Sequence, residues 1–182
     1  MKKFLASALL VMLISSVSWC QVSYTQDIQE ITLIKGSENK GISLGSTTDQ
    51  ALKHLGQPSV KENFYFEMDE KEGKLYRYGK NELYFIENRL NSFLIYDESI
   101  TVSIKHKRHV RINDNLEKPS KQNRETTFLG FPVSPVPGNA FNKNYKTALI
   151  LLLTFNDQDL DSSLSFLFDE RDKLNCIALH NN

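Results

Sequence analysis

The side chains able to carry chemistry in this 182-residue chain are four histidines, two cysteines, 22 carboxylates and a set of tyrosines on strand-like runs. His106 and His109 have the i, i+3 spacing that would put two metal ligands on one helix face. The residues around them read as extended, and in a strand that spacing sends the two rings to opposite faces. They therefore read as neutral surface histidines, while His54 falls on a predicted helix and His180 near the C terminus. Glu67, Asp69, Glu70, Asp157, Asp159, Asp161, Asp169 and Glu170 cluster in predicted turns, where turn chemistry and solubility account for them. No pair among them stands out as a glycosidase-like acid couple. There is no H-E-x-x-H, C-x-x-C, P-loop or G-x-G-x-x-G pattern, and no serine is read in the strand-to-helix setting of a nucleophile elbow. The expectation is no enzyme, no catalytic or metal-binding residue and no cofactor. Cys176, beside Leu174, Ile177 and Leu179, reads as a small buried strand residue and not as a reactive thiol.

What remains is recognition. Tyr65, Tyr76, Arg77, Tyr78, Tyr84 and Tyr96 lie on strand-like runs, and Tyr and Arg are the residue types that dominate protein interfaces. These six are the candidates for binding a partner protein. Alternation places Tyr76 and Tyr78 on one side of a strand and Arg77 on the other, so about half of the set is expected to face a core.

The route of the chain is written at its start. Residues 1–18 give Lys2 and Lys3, an apolar run from Phe4 to Ile14, then Ser15, Ser16, Val17 and Ser18, the order of a secretory signal peptide. Cleavage after Cys20 would leave Gln21 as the new terminus, with cleavage after Ser18 as the neighbouring choice. Val17-Ser18-Trp19-Cys20 also partly resembles a bacterial lipobox, with Trp19 as the departure, so Cys20 is a candidate for lipidation. The protein is expected in the periplasm or secreted, or as an outer-membrane lipoprotein if Cys20 carries lipid. No run reaches the about 20 apolar residues that a spanning helix needs, so no transmembrane segment is expected.

Across the whole chain 22 Lys and Arg balance 22 Asp and Glu, and loss of residues 1–20 leaves 20 against 22, a net charge of −2. An exported, near-neutral chain is a poor partner for nucleic acid. The one basic run, Lys105, His106, Lys107, Arg108, His109 and Arg111, reads as a solvated edge strand whose charges oppose aggregation.

Those candidates must be held by regular elements. After a polar lead over residues 21–40, with one apolar cluster from Ile31 to Ile34, Thr47 and Gln50 have capping-box spacing, and Ala51, Leu52 and Leu55 share a face. Gly56 and Pro58 then stop the chain, which predicts a helix over 48–55. Strand-like runs follow over 64–68, 75–78, 83–86 and 92–96, with connections too short for parallel crossovers.

The second half echoes the first. Leu55-Gly56-Gln57-Pro58 recurs as Leu129-Gly130-Phe131-Pro132, which predicts a second, weaker helix from about Ser120. The run from Tyr84 to Phe93 corresponds to Phe166 to Ile177, with Leu90-Asn91 against Leu174-Asn175. The offset drifts from 74 to 84 residues, with the extra length placed in the turn at Arg171 and Asp172 and in the Pro-rich loop.

Gly41-Ile42-Ser43-Leu44-Gly45-Ser46-Thr47, the Leu55-Gly56-Gln57-Pro58 stop, Tyr76-Arg77-Tyr78-Gly79, Leu83-Tyr84-Phe85 and Leu90 together resemble one unit of the beta-lactamase-inhibitor-like fold. The SmpA/OmlA envelope lipoproteins use the same unit. The likeness covers about residues 41–96 and, loosely, 110–180. It carries over no catalytic residue and implies a tandem protein whose sheet surface and loops dock onto another protein. The expected fold is α+β, in two tandem units, each with a short helix or helices packed on one face of an antiparallel sheet. The units are 41–103 and 104–182, after a signal peptide over 1–20 and a lead over 21–40. The expected function is an exported, non-enzymatic module that occludes a partner protein, as an inhibitor or immunity-type protein does. The alternatives are an envelope-assembly accessory, and a small-ligand binder or enzyme using a pocket between helix and sheet.

Overall fold

Thr47 and Gln50 close a capping box: the Gln50 backbone N–H donates to Thr47 Oγ1 (3.3 Å) and the Thr47 N–H donates to Gln50 Oε1 (2.8 Å). These bonds satisfy two of the donors that every helix start leaves unpaired. They open α1 (Thr48–Leu55), and Gly56, at φ 77°, ends it. Lys35 Nζ then takes up the orphan Leu55 carbonyl at 2.9 Å, and Tyr78 Oη donates to the Gly56 carbonyl at 3.1 Å. Thr47→Ala is expected to lower the unfolding free energy by about 1 kcal/mol in urea titration, as loss of an N-cap does.

This computed structural model describes residues 24–36, 40–66, 70–104, 108–119, 124–135, 139–140 and 143–181. In chain order its strands are β1 (Tyr24–Asp27), β2 (Ile31–Lys35), β3 (Ile42–Ser43), β4 (Val60–Phe66), β5 (Lys71–Tyr78), β6 (Asn81–Ile86), β7 (Arg89–Ile95), β8 (Ile100–Ile104) and β9 (Arg108–Val110). The short pieces β10 (Thr127–Phe128), β11 (Phe131–Pro132), β12 (Ser134–Pro135), β13 (Asn139–Ala140) and β14 (Lys143–Asn144) follow. The long strands β15 (Thr147–Phe155), β16 (Gln158–Phe168) and β17 (Leu174–Asn181) complete the chain.

One large sheet runs β1-β15-β16-β17-β7-β6-β5-β4, with β12 also on β15. Every pairing in it is antiparallel except that of β1 with β15. A second sheet, β3-β2-β8-β9, shares its hydrophobic core. Cross-strand pairing lines up Leu151, Leu164, Leu179, Phe93, Leu83 and Tyr76 as one core-facing row over six strands, each at most 5% exposed. Ile31, Leu33, Ile42, Ile100 and Val102 of the second sheet, with Ala51 and Leu55 of α1, belong to the same cluster. The lead is thus woven in, since β1 pairs with β15 and β2 with β8.

The architecture corrects the expected fold class. Among the described residues the protein is mostly β, 62% strand and 8% helical, with one α-helix, and is not an α+β fold of helices packed on a sheet. Residues 120–123 of the expected second helix lie outside the described residues, but Arg124–Phe128 are not helical. Thr127 instead exchanges backbone hydrogen bonds with Glu117, and Leu129 (φ 56°) and Gly130 (φ 82°) form the turn between β10 and β11. A Leu-Gly pair punctuates a helix end and a hairpin equally well, and without a capping box the β-branched Thr126 and Thr127 favour the extended state. Arg108 and His109 of the basic run lie in β9, an edge strand of the second sheet, and Arg111 follows it, while residues 105–107 lie outside the described set.

The repeated hairpins meet at the centre of the large sheet. Leu94 pairs with Ala178, flanked by Phe93 with Leu179 and Ile95 with Ile177. The offset within the Leu94 and Ala178 pair is 84, the same as between Leu90 and Leu174. A local two-fold axis through that pair therefore relates the meander β5–β7 to the meander β15–β17.

Candidate functional site

The face of the large sheet turned away from the core begins with another cross-strand row. Val60, Arg77, Glu82, Leu94, Ala178, Ser165 and Ile150 stand side by side across seven strands. Beside them lie Glu62, Leu75, Tyr84 and Ser92 on one half, and His180, Ser163 and Leu152 on the other. Large apolar side chains reach solvent here: Ile150 is 54% exposed, Leu152 40% and Val60 36%.

Phe64 and Phe66 of β4 and Tyr84 of β6 form a ring cluster on this face, with centroids 3.9 Å apart for the two phenylalanines and 5.3 Å for Phe64 with Tyr84. With Ser92, Leu94 and His180 they line a shallow cleft of about 220 Å³. Tyr84 Oη donates to Glu82 Oε2 at 2.6 Å, and Arg77 bridges Glu82 (3.1 Å) and Glu62 (2.9 Å). Burial, then the bond to Glu82, pushes the Tyr84 hydroxyl well above its ordinary pKa. Burial holds the His180 imidazole below its ordinary 6.5, so the cleft wall is uncharged at neutral pH. Apolar ring faces bordered by fixed charges can desolvate and orient another protein's side chain.

Next to the cleft, Tyr96 and Tyr145 pack against the buried thiol of Cys176. Burial first, and the thiol second, raises both phenols. The Tyr145 hydroxyl is enclosed without a well-formed hydrogen bond. Cys176 is the small strand residue that its neighbours suggested.

The structure divides the six tyrosine and arginine candidates. Tyr76 and Tyr78 are core residues, and each ring carries a lysine ammonium 5.3 Å from its centroid, Lys61 and Lys35 respectively. Burial pushes the Tyr78 hydroxyl up to about 12. Arg77, Tyr84 and Tyr96 lie together on the outer face, whereas Tyr65, 55% exposed, stands on the other side of β4. Cys20 and His106 lie outside the described residues, as do Glu67 and Asp69. Phe64, Phe66, Ile150, Leu152 and His180 went unread as surface residues. The i, i+2 spacing of Phe64 and Phe66 was a usable signal, but Ala148-Leu149-Ile150-Leu151-Leu152-Leu153 carries no polar residue to say which side is out.

Two enzymatic readings meet specific obstacles. Gly41-Ile42-Ser43-Leu44-Gly45 does spell G-x-S-x-G before α1, which corrects the reading that no serine has that setting. Ser43, however, lies in β3 with its hydroxyl 3.3 Å from Thr32 Oγ1 and not on an imidazole. The hollow between helix end and sheet, about 530 Å³ and lined by Lys35, Gln57, Ser59, Tyr78, Asp97 and Ser99, has its charged groups already engaged. Lys35 holds the Leu55 carbonyl, and Asp97 accepts from Lys80, Asn81 and Ser99.

Among the described residues no group of three or more His, Cys, Asp or Glu comes together to hold a metal ion, and no helix is long and apolar enough to cross a membrane. No family model matches the chain, and no curated protein or solved structure matches it significantly.

Proposed function

We propose that this protein is an exported, non-enzymatic protein-binding module of a bacterial envelope, docking a partner on the outer face of its large sheet as an inhibitor or immunity-type protein does. The observation that carries the reading is the seven-strand row with exposed Val60 and Ile150 at its ends and the Arg77, Glu82 and Tyr84 network between. A rigid sheet presents such a surface without paying loop-ordering entropy. The signal-peptide pattern in the sequence supports export, and the resemblance of residues 41–96 to the inhibitor-like unit supports docking by sheet surface.

Ile150→Asp and Tyr84→Ala test it by affinity capture from envelope extract, read by mass spectrometry. Each variant is expected to weaken retention of a stoichiometric partner by more than about 1 kcal/mol while its urea midpoint stays near that of wild type. Equal retention of every captured protein by wild type and both variants would sink the docking face. The identity of the partner then separates an inhibitor from an assembly factor.

A further inference from the structure

The ends of the two sheets differ in a way that bears on how a partner attaches. Among the described residues, the large sheet ends on one side at β1 and β12, four and two residues long, the latter holding Pro135. The second sheet ends at β3, two residues long, and β9, three residues long with Arg108 and His109. Short strands, proline and charge are the usual guards of a sheet edge. The remaining edge, β4, is seven residues long and free of proline, and it pairs with β5 from Val60 to Phe66 without a bulge. Its outer backbone groups therefore form a regular template for one more strand, with the charges confined to Lys61 and Glu62 at one end.

We propose that β4 takes an extended segment of the partner protein as an added strand, apolar at alternate positions and acidic between them; this rests on the docking reading above. The chemistry of the segment follows from the two faces of β4. On the outer face Val60, Phe64 and Phe66 ask for apolar cross-strand neighbours, Glu62 between them is already paired with Arg77, and Phe64 and Phe66 also wall the cleft, so strand and cleft form one continuous surface. On the other face stand Lys61, Asn63 and Tyr65, all exposed. Lys61 rests over the Tyr76 ring, and no carboxylate pairs with it among the described residues. An acid on the incoming strand would complete it.

A second copy of this chain fits less well. Antiparallel pairing of β4 with itself about a two-fold axis sets residues of like parity opposite each other. Lys61 would then meet Lys61, Asn63 or Tyr65, none of them acidic. The segment comes from a different protein.

The test titrates isotopically labelled protein with a blocked peptide of alternating valine and glutamate, and with its valine and lysine analogue, reading backbone amide shifts. The expected result is that the amides of residues 60–66 move, with a preference of about fivefold for the glutamate peptide that Lys61→Glu reverses. Shifts confined to the cleft and the Ile150 side would overturn strand addition while leaving the docking face in place. No shift at millimolar peptide would also overturn it, and the capture assay on Ile150→Asp would then judge the docking face independently. A concentration-dependent dimer in sedimentation, lost in a Phe64→Lys variant whose amide spectrum stays folded, would assign the edge to a second copy instead.

Discussion

Phe93→Ala is expected to lower the unfolding free energy by about 3–5 kcal/mol, a sizeable part of the total stability of a domain this size. Phe93 is 1% exposed and sits in the central core-facing row, paired with Leu179 across the seam and Leu83 within its own meander. Its ring fills space where the two meanders meet, so truncation removes packing from both at once and the backbone on either side cannot collapse into the void. Urea denaturation followed by circular dichroism checks it. A loss below about 1 kcal/mol would mean that the seam is not packed as described. Phe93→Leu, which keeps most of the volume, is expected to recover more than half of the loss.

The second large effect is expected at a polar residue. Asn81 is fully buried at the start of β6, and its side chain ties the β7–β8 turn to the sheet. Nδ2 donates to Asp97 Oδ1 (2.8 Å) and Ser99 Oγ (2.9 Å), while Oδ1 accepts from the backbone N–H groups of Tyr96 (2.7 Å) and Asp97 (3.0 Å). Asn81→Ala removes the acceptor of the Tyr96 and Asp97 backbone N–H groups, while Asp97 and Ser99 keep the bonds between them, at an expected cost of about 2–3 kcal/mol by urea denaturation, because buried donors that lose an acceptor carry a desolvation penalty. Burial alone would raise the Asp97 carboxyl, but bonds from Ser99, Lys80 and Asn81 outweigh it and hold its pKa below 3.8. A depressed carboxyl contributes stability that is present above its unfolded pKa and lost as pH falls through the folded value. The gap between wild type and Asn81→Ala is therefore expected to begin to narrow as pH falls below 3.8 and to go on narrowing until the depressed wild-type carboxyl also takes up its proton. A gap that widens on acidification would contradict the network.

What could be read from the residues was whatever local chemistry decides. Thr47, Gln50 and Gly56 specify a helix without help from the rest of the chain, and the helix spans Thr48–Leu55 as expected. The strands from β4 to β7 overlap the aromatic runs expected over 64–96. The second half depended on distant partners. Leu129-Gly130 marked an end of something, and only the pairing of Phe128 with Phe131 made it a hairpin turn. The repeat also hid a slip of face. Tyr84 was matched with Phe166, yet Tyr84 looks outward and Phe166 into the core, because the register irregularities, after Tyr84 in one meander and after Leu167 in the other, make Leu167 the true counterpart of Tyr84, one residue away from the match. One extra residue reverses every side chain beyond it, and no count of sequence offsets registers that. The candidate surface was half legible for the same reason. Tyr84 and Arg77 were named, while Ile150 and Leu152 were lost in an unbroken aliphatic run whose outward side depends on what the sheet packs against.

The seam between β7 and β17 also bears on the order of assembly. Each meander is built from neighbouring strands and can form with short loop closures, but the seam joins positions 84 residues apart, and β1 pairs with β15 across a separation of 127 residues, from Tyr24 to Leu151. Long closures are slow because their entropy is lost before any contact repays it. Strand β17 is made after every other described strand, so the core cannot be sealed before it is available. Until then the chain is a local meander with a bare apolar edge at β7, the state in which it is most exposed to proteases and to misassociation. Removal of β17 would make that transient state permanent.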